Sequence, residues 1–148
     1  MADLQLTSET FDDGEPIPER CSRDGFELHP SLVISGVPEG TESLALIMED
    51  PDAPSKTWIH WLIWNLPPDL ERIDEGEVPE GAVEGHNDWG ESSYGGPQPP
   101  SGTHRYFFRL YALDRKLELG PDSRRDALEK AMKGHVLDEA TLMGTYAA

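Results

Sequence analysis

The chain has 148 residues, enough for one domain with one sizeable core, and we expect residues 1–148 to form a single domain. It carries 29 acidic and 12 basic residues, and this net charge of −17 disfavours nucleic acids and anionic lipid surfaces as partners. Because no signal-peptide pattern or long apolar run is present and Cys21 is the only cysteine, we expect a cytoplasmic protein without an intramolecular disulfide.

Short stretches of β-branched and aromatic residues recur between turns rich in Pro, Gly and Asp, a pattern typical of β proteins. The predicted strands are Leu4–Thr7, Ser31–Ser35, Ser43–Asp50, Trp58–Leu66, His104–Asp114 and Ala140–Tyr146. One helix is predicted between a cap at Ser123 and a stop at Gly134. Its apolar stripe is Ala127, Leu128, Ala131 and Met132. The predicted fold is mainly β, a sandwich of antiparallel sheets with one or two peripheral helices.

A long segment from Gly85 to Thr103 is rich in Gly and Pro and has no helical or strand periodicity. Irregular segments of this length inside a compact domain are usually either functional or wrongly assigned. We therefore predict that this segment forms a wall of a binding site.

Alternation along three strands places polar residues at one end of an apolar face. In Ser43–Asp50 this face ends with Asp50, and in His104–Asp114 it begins with His104 and Tyr106. In the strand between them, strict alternation would put Trp58, His60, Leu62, Trp64 and Leu66 on one face. If these strands are neighbours, two imidazoles, a phenol and loop amides converge, a set of groups that suits a small oxyanion.

Several alternatives compete at these positions. Asp50 and Asp52 could accept hydrogen bonds from the imidazoles and raise the histidine pKa values, or could only stabilise the proline-rich turn. Taken alone on an apolar strand, a histidine such as His60 is more often a satisfied core residue than a ligand-binding one. A metal site on His60 and His104 lacks a tight ligand motif, and we expect no metal or cofactor. The sequence contains no nucleophile elbow or nucleotide-binding glycine motif, and Cys21 is expected to be a buried filler.

The acidic charge has three interpretations: a disordered tail, a basic protein partner, or a surface adapted to concentrated salt. The acids are interleaved with apolar strands rather than grouped in one block, which argues against disorder. We favour the halophilic interpretation, because molar salt screens the self-repulsion of such a chain.

Two long motifs stand in order along the chain. The first is Asp50-Pro51-Asp52-Ala53-Pro54 followed by Trp58-Ile59-His60-Trp61, and the second is Gly95-Gly96-Pro97-Gln98-Pro99-Pro100-Ser101-Gly102-Thr103-His104-Arg105-Tyr106. Flanking segments are Phe11–Pro18, Gly36-Val37-Pro38, Gly134-His135-Val136-Leu137 and Gly144-Thr145-Tyr146. Together they resemble the phosphatidylethanolamine-binding family, in its prokaryotic Raf kinase inhibitor-like branch, over nearly the whole chain.

The resemblance implies a β-sandwich with one small anion pocket, which in relatives binds phosphate, acetate, cacodylate or the phosphoethanolamine head of a lipid. By motif position it implies a pocket lined by Asp50, His60, Gly96, Pro97, His104 and Tyr106. It assigns Asp52, Trp58 and Arg105 to supporting or wall positions. Arg105 is expected first in a structural salt bridge, because it alternates with His104 and Tyr106 along the strand.

We therefore expect non-catalytic binding of a small phosphorylated ligand or phosphate-like anion, with a regulatory role. The alternative is a protein inhibitor of a kinase or protease that acts through surface loops, and a hydrolase using His60 or His104 as its base is a third hypothesis. The chain departs from many prokaryotic relatives at Gln98, where they have cysteine. It also ends without the C-terminal helical extension of animal members, so their lipid preference is not expected to transfer. Stable membrane binding is not expected, whereas a protein partner and a homodimer stay open.

Overall fold

The structure is a computed structural model that describes residues 3–148, so the first two residues of the predicted domain lie outside the described range. The strands are β1 Gln5–Thr7, β2 Leu32–Ser35, β3 Ser43–Asp50, β4 Trp58–Leu66, β5 Arg72–Ile73, β6 Val83–Glu84, β7 Thr103–Leu113 and β8 Val136–Ala147. One helix, α1, spans Arg125–Met132, and Glu19–Cys21 form one turn of 3₁₀-helix. Residues 85–102 contain neither helix nor strand, in agreement with the prediction for this segment.

Two antiparallel sheets form the framework, with strand orders β1-β2-β5 and β6-β4-β3-β7-β8. A core of apolar side chains fills the space between them, with Leu6 and Ile34 from the small sheet and Leu46, Ile63 and Phe108 from the large one. This confirms the predicted β-sandwich. Burial of apolar area on both sides of this layer, worth roughly 25 cal/mol per Å², is the main force that holds the sheets together.

The outer face of the large sheet packs against α1 and the segment before it. Ile47, Leu62 and Trp64 contact a second apolar cluster that contains Leu128 and Met132 of the helix. Because β3 and β4 are buried on both faces, their sequences are almost continuously apolar instead of alternating.

The predicted helix differs from the observed one at its start and in its stripe. Its N-cap is Arg124 rather than Ser123, whose backbone carbonyl instead accepts from the His86 amide at 2.8 Å. Ala127 points to solvent, so the buried stripe is narrower than predicted. The predicted stop at Gly134 is confirmed by its φ of 83°, a left-handed conformation that glycine adopts without strain.

The bounds of β3 and β4 coincide with the prediction, but β4 does not alternate along its length. Glu49 pairs with Ile59 and Met48 with Trp61, so His60 is an extra residue in a β-bulge. A second register shift lies between Leu44 and Leu46, opposite Asn65, which has a φ of 58°. The expected single face of Trp58, His60, Leu62, Trp64 and Leu66 is therefore wrong, because each bulge moves the following side chains to the other face.

Candidate functional site

A cavity of about 330 Å³ lies where three strands of the large sheet begin or end. β3 runs antiparallel to both β4 and β7, so its last residue, Asp50, lies beside the first residues of its neighbours. The cavity is lined by Asp50, Ala53, Pro54, Trp58, His60, Trp89, Gln98, Pro99, Pro100, His104 and Tyr106. The predicted convergence of the polar strand ends is thus present.

The bulge in β4 is what directs His60 into this cavity. His60 lines the cavity on the same face on which Trp61 enters the core between the sheets. Two successive residues can share a face only where the alternation is broken. The His60 ring meets the rings of Tyr106 and Trp89 edge to face, each at 5.1 Å between centroids.

His60 is a neutral imidazole with a defined tautomer. Its Nδ1 lies 2.8 Å from the backbone carbonyl oxygen of Gly95, and since a carbonyl only accepts, Nδ1 carries the proton. Burial lowers the pKa of His60 to about 4, against the smaller opposing effects of the Gly95 and Gly96 backbone and of the Asp50 and Asp88 charges. The nearby Asp50 does raise the pKa of His60, as expected of a carboxylate, but desolvation is the larger effect and the pKa is lowered overall.

Asp50 and His104 form a buried pair, with 2.7 Å between Asp50 Oδ2 and His104 Nδ1. The other carboxylate oxygen of Asp50 accepts from the backbone amide of Asp52 at 2.8 Å. Asp50 therefore does both things that the sequence left open: it stabilises the turn and orients an imidazole. With Nδ1 donating to Asp50, the Nε2 atom of His104 is left for other partners.

Tyr106 and Trp58 bring unpaired hydrogen-bond donors to the site. The Tyr106 hydroxyl lies near the backbone of Gln98 but makes no hydrogen bond with any residue in the range 3–148, and the same is true of Trp58 Nε1. Burial, together with the charge of Asp50, raises the pKa of Tyr106 well above its ordinary value, so the phenol keeps its proton. A buried donor without a partner costs about 1–3 kcal/mol, which a suitable ligand would recover.

Asp52 and Arg105 hold the rim of the cavity rather than its interior. The Arg105 backbone amide, Nε and Nη2 each donate to the Asp52 carboxylate at 2.9 Å, and the arginine hydrogen bonds hold the Asp52 pKa down to about 2. This pair links the turn after β3 to the start of β7. Arg105 thus occupies the predicted salt bridge, and Asp52 does not contact an imidazole.

Gly96 and Pro97, predicted by motif position to line the pocket, are not among the residues that line this cavity, although the Gly96 backbone lies close to the His60 ring. The Gly96 amide donates to Glu27 Oε2 at 3.0 Å, and the Pro97 carbonyl accepts from the Arg23 amide at 3.1 Å. A Cβ on Gly96 would lie 2.3 Å from the Cys21 carbonyl oxygen, so only glycine allows this close approach.

The lining positions are taken by Gln98, Pro99 and Pro100 of the same run, and by Trp89 from the long loop. Sequence reasoning placed the loop at the site but did not select Trp89 within it. A bulky aromatic residue among glycines and serines was the signal that could have identified it. Trp58, predicted as a supporting or wall residue, does line the cavity.

The surroundings of Cys21 disfavour nucleophilic chemistry at its thiol. Burial raises the pKa of Cys21 to about 12, and its side chain lies in the core between the sheets, so it is a filler rather than a nucleophile. Across residues 3–148, no three His, Cys, Asp or Glu side chains are close enough together to hold a metal ion.

Comparison with known proteins decides the family. The family model for phosphatidylethanolamine-binding protein matches residues 7–147. The chain belongs to this family. A UPF0098 protein of Methanothermobacter thermautotrophicus is 50% identical, with 97% of this chain and 98% of that protein covered.

Solved structures of family members share the whole fold of this phosphatidylethanolamine-binding family protein. A putative phosphatidylethanolamine-binding protein homolog from Chlamydia trachomatis matches with a TM-score of 0.95 and 42% identity, over 100% of this chain and 99% of that one. E. coli YbcL, described as a member of the mammalian family, matches with a TM-score of 0.94 and 31% identity, over 99% of each chain. Archaeal and bacterial relatives at these identities place the protein among prokaryotic family members, as the motifs predicted.

None of the helices within residues 3–148 combines the length and apolar character of a membrane span.

Proposed function

We propose that this protein binds a small oxyanion, such as phosphate or the phosphoryl group of a larger ligand, in the cavity between Asp50, His60, His104 and Tyr106. The observation that carries the proposal is the Tyr106 hydroxyl, a buried donor without a protein partner among residues 3–148, in the wall of a cavity that two histidines also line. An anionic oxygen is the acceptor that would satisfy it most strongly.

The rigidity of the site also supports binding of a small ligand. Both histidines are held through Nδ1, His60 by Gly95 and His104 by Asp50, so both rings are fixed before a ligand arrives. Preorganised groups lose little conformational entropy on binding. Two or three charge-assisted hydrogen bonds, at roughly 1.5–3 kcal/mol each, suit weak and reversible recognition of the kind that a regulatory module needs.

We further propose that the bound ligand is not converted. The cavity lining contains no Ser, Thr, Cys or Lys, so in the described part of the chain a nucleophile would have to be a histidine, Asp50 or Tyr106. The Tyr106 hydroxyl keeps its proton, because burial raises its pKa. Asp50 is occupied by His104 and by the Asp52 amide. If the protein were a hydrolase, the Nε2 atom of His60 or His104 would be the group left to act as a general base.

The test is calorimetric titration of the protein with inorganic phosphate in molar KCl, where the added anion does not alter screening. Tyr106→Phe removes one hydroxyl from the cavity, and we expect it to weaken phosphate binding about tenfold or more. Tyr111→Phe is the matched control, because Tyr111 lies on the same strand with its ring in the cluster on the opposite face. Equal affinities for both variants and the wild type would remove the proposal. If the wild type hydrolyses a phosphoester and His104→Ala does not, the protein is a hydrolase and not a binding protein alone.

One observation favours the second candidate, a protein inhibitor of a kinase or protease. Phe26 is 82% exposed at the tip of the segment Ser22–Glu27, which contacts the back of the cavity wall through Arg23 and Glu27. A large exposed aromatic residue is a frequent anchor in protein interfaces. Under this proposal Phe26→Ser abolishes inhibition of the target enzyme and leaves phosphate binding unchanged, whereas an inhibitor that acted through the cavity would lose activity with Tyr106→Phe instead.

A further inference from the structure

The cavity has a fixed negative charge and no fixed positive one. Asp50 is buried in its wall, and no Lys or Arg is among its lining residues in the described part of the chain. The basic residues nearby are engaged elsewhere: Arg105 with Asp52, Lys56 with Asp88, and Arg23 with Glu27, Glu91 and the Trp89 ring. A doubly charged anion in this cavity would meet a carboxylate without an opposing cation, which is costly at low dielectric.

The hydrogen-bonding polarity of His60 adds a second constraint. Its Nδ1–H is used by the Gly95 carbonyl, so the Nε2 atom is a lone-pair acceptor. The groups that face this ring are Asp50 from β3, Tyr106 and His104 from β7, and Asp88 and Trp89 from the long loop. Asp50 and Asp88 are the carboxylates among them, and His104 is bound to Asp50 through its Nδ1 atom. A ligand against Nε2 must therefore donate a hydrogen bond there while it accepts one from Tyr106.

We propose that the site selects the singly protonated, monoanionic form of a phosphate ester, R–O–PO₃H⁻, over the dianion. The ligand's own P–OH donates to His60 Nε2, and one of its unprotonated oxygens accepts from the Tyr106 hydroxyl. The proton stays on the ligand and no bond is made or broken. This inference rests on the proposed oxyanion binding and specifies the charge state that the site takes. The Trp58 and Trp89 rings, 5.5 Å apart and nearly perpendicular, make an apolar wall suited to an uncharged R group.

Phenyl phosphate and phenyl sulfate form a matched pair of probes. At about pH 5 both carry one negative charge, but only the phosphate carries an O–H, and its second pKa is near 6. By isothermal titration in molar KCl at that pH, we expect phenyl phosphate to bind about tenfold or more tightly than phenyl sulfate. Above pH 6 its affinity should fall about tenfold per pH unit relative to phenyl sulfate, because the protonated form becomes scarce. Phenyl sulfate has no titrating proton, so its pH profile reports the protein's own groups and corrects for them.

The outcomes separate this inference from the proposed function. If neither probe binds, oxyanion binding itself is wrong. If both bind with equal affinity, or if phenyl phosphate gains affinity as the pH rises, the site binds oxyanions without selecting the protonated form, and the inference is overturned.

Two further measurements test the role of His60. His60→Phe removes the acceptor and should abolish the difference between the two probes while phenyl sulfate still binds. If that variant does not fold, the ¹⁵N shifts of His60 in the wild-type complex decide the question. We expect a neutral Nδ1–H ring with phenyl phosphate bound, and imidazolium shifts would show that the histidine, not the ligand, supplies the proton.

Discussion

At the scale of single residues, Asp50 and Asp52 stand two positions apart in one turn and have opposite surroundings. Asp50 is buried against His104, whereas Asp52 pairs with an exposed arginine at the rim. Asp50→Asn would place an amide group against the His104 Nδ1–H or force the other tautomer. We expect about 1–3 kcal/mol of lost stability and, at about pH 5, where phosphate is a monoanion, at least a tenfold loss of phosphate affinity because the His104 ring is no longer held in place.

Asp52→Asn is the isosteric control for this substitution. Exposed ion pairs contribute about 0–1 kcal/mol, so this variant should unfold near the wild-type urea concentration and keep its phosphate affinity. Urea denaturation and phosphate titration of both variants check the contrast. If the two variants weaken phosphate binding equally, Asp50 does not act through His104.

The low pKa of His60 makes folding stability depend on pH in a defined direction. In the unfolded chain His60 takes up a proton below its ordinary pKa of 6.5, whereas the folded protein resists protonation down to about pH 4. Stability is therefore complete above pH 6.5 and is lost as the pH falls toward 4, by an amount on the order of 3 kcal/mol.

The non-titrating control is His60→Asn, whose amide nitrogen can still donate to the Gly95 carbonyl. Its urea midpoint should be lower than that of the wild type at neutral pH and change less between neutral and acid pH. Identical pH profiles for the two proteins would mean that His60 is not the group responsible.

At the scale of elements, the sequence predicted strand bounds well where the local apolar pattern is strong. It was least informative where the structure depends on how one strand pairs with another. Apolar runs bounded by turn residues were sufficient to predict β3 and β4 to the residue, but β5 and β6 have only two residues each and carry no periodic signal. The bulge at His60 depends on the register against β3, which no local pattern encodes.

The same limit explains the errors within the site. Strand ends brought Asp50, His60, His104 and Tyr106 together as predicted, since antiparallel pairing fixes which ends meet. The choice between Gly96–Pro97 and Gln98–Pro100 depends on how the loop packs against Cys21 and Arg23, segments about seventy residues away in sequence. Long-range packing of irregular segments leaves no trace in residue periodicity.

The second bulge of β4 has a testable energetic cost. Asn65 adopts a φ of 58°, and its side chain makes two hydrogen bonds with the Leu117 backbone, at 2.9 Å and 2.8 Å. Asn65→Gly loses both bonds but suits the backbone, and should cost about 1–3 kcal/mol. Asn65→Ala loses the bonds and places a Cβ in the left-handed region, which should cost about 1 kcal/mol more. Urea denaturation of the two variants measures this difference. If Asn65→Ala is no less stable than Asn65→Gly, the left-handed backbone conformation does not contribute to the cost.

At the scale of the whole molecule, most of the arginines form ion pairs with acidic residues at the surface. Arg20 pairs with Glu75, Arg109 with Glu49, and Arg72 with Glu9 and Asp74. With 29 acidic residues against 12 basic ones, many carboxylates have no basic partner to neutralise them. Their mutual repulsion destabilises the compact state, and it acts over a Debye length of about 10 Å in 0.1 M salt but only about 3 Å in 1 M salt.

Salt also weakens the arginine pairs, but these are largely exposed and contribute about 0–1 kcal/mol each, so relief of the repulsion should dominate. We therefore expect the protein to lose its fold in dilute buffer and to recover it in molar KCl, as followed by circular dichroism and by the urea midpoint at each salt concentration. A variant with Glu39→Gln, Asp69→Asn and Glu80→Gln neutralises three exposed acids and should fold at lower KCl. If K⁺ acted specifically, this variant would need as much KCl as the wild type, and NaCl would not restore the fold. A melting temperature that does not depend on salt would show that the acidic surface is not an adaptation to concentrated salt.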